Sequence, residues 1–380
     1  MERLLFSPKR NIPKINAQTN QSAVFILCAL SLLFFVLANY IPSKQEGRIR
    51  REMKEASEIM AEAMGAIKKC REERSVPLDV KNDFNETGLI GVELSSITTS
   101  LGNLEAKRTT TNPNFAALVV FLLKQAGLER GDTVAVGASG SFPALIVAAL
   151  SASRAMGLFP VLICSLGASQ WGANIPSFHW LHMQSCLQRA SLFDTLPVAI
   201  SMGGEKDSGM DMTAEGQALL LNDAEKSDIF FLNEPDLERN VRERMRIYEE
   251  NGGERGIRAF INIGGSWSNM GEDSEVLKLK PGLVYSRSIS SAEKRGVIHE
   301  MALREIPLIH LLYIKGLAKR FRLPWDPFPL SHPGEGKIYT LVRETQVSFY
   351  LIACVYFLLV ILVFIFRNRL ALFFRSSYIQ

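Results

Sequence analysis

Five short apolar runs punctuate the middle of the chain: Thr133–Val136, Phe159–Cys164, Pro197–Met202, Ile229–Leu232 and Arg258–Ile263, each separated from the next by enough residues for a helix. Runs that are apolar nearly throughout belong to strands covered on both faces, and this spacing belongs to parallel strands joined by crossover helices. The pattern predicts an α/β fold with a mainly parallel, Rossmann-like sheet and helices on both faces. Helix signals fill the gaps. Asn112-Pro113 opens a helix over 114–126 that Gly127 closes, with a capping side chain and a proline in the first turn. Residues 143–156 (PALIVAALSASRAM) are apolar on nearly all sides, as expected of a helix against the centre of the sheet. Asp236 to Glu250 is rich in both charges and reads as a peripheral helix.

Two further apolar stretches bracket this pattern, Ser22 to Ile41 and Val347 to Phe366, neither containing a charged residue. Each has about the length of a transmembrane helix, and cationic residues follow each one: Lys44, Arg48 and Arg50, then Arg367 and Arg369. The first lacks a small-residue cleavage pattern at Asn39-Tyr40-Ile41-Pro42, which favours an uncleaved anchor over a secretory signal. The organisation expected is a cytoplasmic tail (1–21), a transmembrane helix (22–41), a stalk or amphipathic helix (42–87), an α/β domain (88–305), a proline-containing linker (306–346), a second transmembrane helix (347–366) and a cytoplasmic tail (367–380). Lysine and arginine near the spans are evenly divided between the two sides. The tails hold a single acid, Glu2, which favours tails inside and a domain outside a cell membrane. The tails also supply more than the net charge of +4, so the middle is slightly acidic and nucleic acid is not an expected partner.

Between the first span and the domain, Ile49, Met53, Ala56, Met60, Ala63 and Ile67 recur at helical spacing, which fits either a solvated stalk or a partner-binding helix. Five cysteines are too few for a disulfide framework. Cys28 and Cys354 fall in the apolar stretches, and Cys70, Cys164 and Cys186 show no CxxC spacing, so neither a stapled fold nor a metal site is indicated.

The chemistry is expected where the strands run into loops of small polar residues. These are Gly137-Ala138-Ser139-Gly140-Ser141, Leu166-Gly167-Ala168-Ser169-Gln170, Met202-Gly203-Gly204-Glu205 and Gly264-Gly265-Ser266-Trp267-Ser268-Asn269. In an open parallel sheet such loops gather at the carboxyl ends of the strands and form a ligand cleft. Ser139 and Ser141, at a strand-to-helix turn, are placed to hold a carboxylate or phosphate or to act as a nucleophile. Glu205, Asp207 and Asp211 form an acidic cluster able to act as acid and base. Lys107 and Arg108 can pair with an acidic ligand. The candidate catalytic residues are Ser139, Ser141, Glu205 and Asp207. Candidate ligand-binding residues are Lys107, Arg108, Gly137, Gly140, Gly203, Gly204, Gly264, Gly265, Ser266 and Asn269. His179 and His182 follow the second loop, close enough for at least one to reach the cleft, although a surface or capping role suits either. The chain has no GxxxxGK[ST], GxGxxG or HExxH motif, and no cofactor is indicated.

The runs ITTSLGNLEAKRTTTNPNFAALVV, GDTVAVGASGSFPALIVAAL, SLGASQWGANIP and IPLIHLLYIKGLAKRFRLPWDPFPL together resemble the bacterial poly-gamma-glutamate system protein family. The resemblance covers most of the domain but carries no established catalytic residues. It implies a membrane-anchored accessory component of poly-gamma-glutamate biosynthesis or export, partnered by synthase or export subunits and by the polymer or another acidic ligand. The alternative is a γ-glutamyl amidohydrolase or transferase acting on that polymer.

Overall fold

The computed structural model describes residues 17–40, 44–289, 293–342 and 347–376. Seven strands form one sheet: β1 (Thr133–Ser139), β2 (Phe159–Ser165), β3 (Ala199–Ser201), β4 (Phe230–Leu232), β5 (Ile257–Ile263), β6 (Gly282–Val284) and β7 (Leu308–Leu311). Their spatial order is β4-β3-β2-β1-β5-β7-β6, with every pairing parallel except that of β6 with β7. The five runs read from the sequence are β1 to β5. The order reverses between β1 and β5, and such a switch point opens a crevice at the carboxyl ends of the strands.

The helices follow in chain order: α1 (Ala17–Tyr40), α2 (Lys44–Glu73), α3 (Leu104–Thr110), α4 (Asn114–Gln125), α5 (Pro143–Met156), α6 (Trp180–Arg189), α7 (Ala214–Glu225), α8 (Leu237–Glu250), α9 (Trp267–Met270), α10 (Val297–Leu303), α11 (Ile314–Phe321) and α12 (Val347–Ser376). Pro143 sits in the first turn of α5, and Gly157 ends that helix in the left-handed conformation (φ 67°), which glycine adopts without steric cost. Asn103 caps α3 by accepting the Ala106 N–H at 2.7 Å.

The chain divides into two compact units, 48–342 and a second unit made of 1–47 with 343–380. In the larger unit the sheet is buried on both faces. Val134, Val136 and Ala138 of β1 pack with Phe115, Leu118 and Ile146 on one side, and Ala135 packs with Tyr248 and Phe260 on the other. That alternation is the two-residue period of a strand. The stripe Met53, Ala56, Met60, Ala63 and Ile67 of α2 is fully buried in the first of these cores. Each such Met or Ile contributes about 1.5–3 kcal/mol of burial, so α2 is part of the domain's core packing. Cys70 of α2 and Cys186 of α6 are joined in a disulfide across 116 residues, which corrects the expectation that cysteine staples no part of the fold.

The segment read as a linker contributes β7, which pairs with β5 and β6, and α11, which packs against α3. The sheet therefore runs past the expected domain boundary at 305.

In the smaller unit α1 packs on α12. Phe34 stacks on Tyr356 at 4.7 Å, and the Tyr356 hydroxyl lies 2.8 Å from Ser31 Oγ. No helix among the described residues is long and apolar enough to cross a membrane. This corrects the expectation of transmembrane helices at 22–41 and 347–366, and with it the two-span cell-membrane location and the division of tails and domain between two sides. Most of the first tail, 1–16, and the last residues, 377–380, lie outside the described residues.

Candidate functional site

Three strand ends and one helix converge at the switch point. The β1 strand ends at Ser139, and the turn Gly140-Ser141-Phe142 leads into α5. The loop after β2 lies alongside: Gly140 N–H donates to Ser165 O at 2.9 Å, and Ala173 N–H donates to Gly140 O at 2.8 Å. Gly172 presses against Ser141 so closely that a Cβ there would stand 2.8 Å from both Ser141 Cα and its carbonyl oxygen. Only glycine lets these two loops meet without displacing Ser141.

This packing organises a row of hydroxyls. Ser139 Oγ–H donates to Ser141 Oγ at 2.9 Å, and Ser169 N–H donates to the same oxygen at 2.9 Å. With Ser141 Oγ accepting twice, its own proton is left to point elsewhere. Behind the row stands Lys107, delivered by α3. Its Nζ donates to the Ser141 carbonyl oxygen and to Ser169 Oγ, the latter at 2.7 Å, and lies 3.8 Å from the centre of the Phe142 ring.

Lys107 is 3 % exposed. Burial disfavours its charged form and brings its pKa down from 10.5 to about 7. An amine with that pKa is about half unprotonated at neutral pH, and in that form its lone pair can accept the Ser169 hydroxyl proton.

Lys107, Ser139, Ser141 and Ser169 all line one cavity of about 1070 Å³. Across it lies Ser266, whose Oγ is buried without a hydrogen-bond partner. Trp267, Leu312 and Trp325 supply apolar wall, while among the described residues Glu105, Asp211, Glu272 and Asp273 outnumber the other lining cation, Lys315. Burial pushes the Asp211 carboxyl up from its ordinary value.

The sequence-derived candidates separate into groups. Ser139, Ser141, Lys107, Gly204, Gly265 and Ser266 line the cavity together. Gly140 and Gly264 shape its floor, since a Cβ on Gly264 would sit 3.3 Å from Ser139 Cβ. Gly137 faces Asn269 inside the sheet, where Asn269 donates to Asn262 Oδ1 at 3.0 Å. Glu205 is exposed beside the cavity, and its backbone N–H donates to Asp211 Oδ1 at 3.2 Å.

Two charged candidates are committed elsewhere. Arg108 forms a bidentate pair with Asp326 at 2.7 and 2.6 Å and lies over the Phe84 ring, closing the 326 loop onto α3. Asp207 is 3 % exposed and pairs with buried Arg244 at 2.6 Å. Its oxygens also accept from Ser201 Oγ at 2.8 Å, Gly203 N–H at 3.0 Å and Asn240 Nδ2 at 3.1 Å. A carboxylate so saturated holds the β3 loop and has no lone pair left for a substrate. Gly203, at φ 81°, supplies the turn that brings its N–H to this carboxylate.

Sequence reasoning missed Ser169 as a site residue and cast Lys107 as a charged partner for an acidic ligand, not as a buried base. The available signal was the small-residue loop GASQ, which mirrors GASGS after the neighbouring strand. His179 and His182 do not line the cavity and instead meet Asp223.

No protein-family model matches the chain, and no curated protein or solved structure is detectably similar to it. The expectation of transmembrane helices is corrected above, and these comparisons lend the poly-gamma-glutamate and capsule setting no support.

Proposed function

We propose that the α/β domain is an acyl-transfer enzyme of the serine–lysine type, cleaving an amide or ester with Ser169 as nucleophile and neutral Lys107 as general base. The observation that carries this reading is the 2.7 Å contact between Lys107 Nζ and Ser169 Oγ, both side chains buried at the edge of the cavity. A nucleophile held against an activated base is the recurring requirement of covalent acyl transfer, and a lysine can take the place of histidine.

In the first half-reaction Lys107 accepts the Ser169 proton as Oγ attacks the substrate carbonyl carbon, and the carbonyl oxygen becomes an oxyanion. The hydroxyl proton of Ser141, whose Oγ lies against Ser169 N–H, is the side-chain donor nearest at hand for it. The lysine ammonium then returns its proton to the leaving amine or alcohol. Water or a second amine, deprotonated by the regenerated amine, releases the acyl group from Ser169. Lys107 is fixed throughout by the Ser141 carbonyl.

The carboxylates around the cavity favour a neutral or cationic substrate over a polyanion. A holder of acidic polymer, the function implied by the family resemblance, would need a charged Lys107 and a basic rim, so it is the less supported of the two readings.

The test is turnover of a panel of chromogenic esters and amides by the full-length protein. Ser169→Ala and Lys107→Met should each lower turnover by about 10²–10⁴-fold, the usual worth of a positioned base. Turnover undiminished in Ser169→Ala would remove the assignment.

A further inference from the structure

A second group of chemically active side chains lies outside the serine–lysine cavity. His179 caps the start of α6 and His182 follows one turn later, which brings their rings to 4.3 Å between centres at 73°. From α7, Asp223 places Oδ2 at 2.9 Å from His179 Nε2. One ligand atom from each of the three lies within 4.8 Å of the others. The histidines are only partly satisfied: His179 is fully buried, yet its Nδ1 has no hydrogen-bond partner, and His182 Nδ1 is also buried and unpartnered. A structural pair would need only His179 and Asp223. It leaves unexplained a second imidazole turned toward them with its nitrogen unspent.

We propose that His179, His182 and Asp223 bind one divalent transition-metal ion of zinc's class. Two imidazoles and a carboxylate form a borderline donor set suited to that class, whereas magnesium and calcium select oxygen ligands. Tetrahedral zinc with bonds of about 2.0–2.1 Å holds its ligands about 3.3 Å apart, so the three atoms must close by no more than about 1.5 Å. His182 and Asp223, both half-buried, are the two ligands that would make that adjustment. The nearest cation, Arg74, is exposed and can swing away from the bound ion.

The ion would join two helices that belong to different cores. Trp180 and Met183 of α6 pack in the large core that contains α5, while Leu220 and Ala224 of α7 pack in a small one with Ile200 and Met212. The far end of α6 is already pinned through Cys186 to α2. Metal at His179 and His182 would pin its near end to α7. The loop entering α7 carries Gly204 and Asp211 of the catalytic cavity, so the ion braces one of that cavity's walls.

The experiment uses the full-length protein after chelator treatment, titrated with ZnCl₂ by calorimetry and with CoCl₂ by visible absorption. The expected result is one ion per chain, a cobalt d–d band of the intensity seen in tetrahedral sites, and a zinc-dependent rise in Tm. His182→Ala and Asp223→Asn, both at half-buried positions, should keep the metal-free Tm within a few degrees. Each should weaken zinc binding at least about tenfold, the lower bound for loss of an outer-shell partner. Absence of saturable binding, or unchanged zinc affinity in either variant, overturns the three-ligand site. Because Tm and absorption are read without substrate, this result is independent of whether the serine–lysine pair is catalytic.

Discussion

Lys107 and Ser169 stand 62 residues apart in the chain and 2.7 Å apart in the fold. The contact depends on α3 entering beneath two glycine-dependent loops, and it takes place where the lysine has lost nearly all its water. A lysine in that position is costly to keep charged, which makes it an effective base near neutral pH.

The pH dependence follows from the direction of that shift. Protonated Lys107 cannot take the Ser169 proton, so acylation should rise with pH through about 7 and level off above it. Initial rates of ester cleavage between pH 5 and 9 would show the inflection. A flat profile over that range, or one that falls with rising pH, contradicts a lysine base.

Asp207 offers a contrasting case, a carboxylate that looked catalytic in sequence and is structural in the fold. Removing it leaves Arg244, 2 % exposed, as an uncompensated buried charge. Asp207→Ala should therefore cost about 3–5 kcal/mol of stability, measurable as a lower urea midpoint. Any folded fraction should keep its serine reactivity, and inactivity with an unchanged midpoint would return Asp207 to the site.

The Cys70–Cys186 bond closes a long loop between α2 and α6. Reduction, or a Cys70→Ser and Cys186→Ser double substitution, is expected to destabilise the larger unit by about 2–5 kcal/mol. Urea unfolding with and without reductant measures this directly. Equal midpoints would mean that the link contributes nothing.

Much of the fold was legible because its signals are local. The five uniformly apolar runs, the Pro143 and Gly157 ends of α5 and the 3.5-residue stripe of α2 each declare themselves within a few residues. What α2 packs against was not legible, because a stripe has the same spacing whether a partner or the chain's own core covers it. The β6 strand has only three residues, and β7 (LIHL) stands among prolines and apolar loop residues, so neither offered a period to read. The disulfide joins cysteines 116 residues apart with no spacing motif. The apolar ends read as transmembrane spans on composition alone. The serine loops were visible as the expected place for chemistry in an open parallel sheet. Which serine meets which base is a tertiary fact, set by where α3 lands, and the acids nearest in sequence were drawn instead into ion pairs.

The most direct test of the account is to label the full-length protein with a fluorophosphonate at pH 8 and identify the modified residue by peptide mass spectrometry. The account predicts a single adduct on Ser169, lost in Ser169→Ala and slowed by about 10²-fold or more in Lys107→Met, as expected when a positioned base is removed. An adduct on Ser139, Ser141 or Ser266 in the wild-type protein, or labelling of Ser169 at an undiminished rate without Lys107, would contradict it.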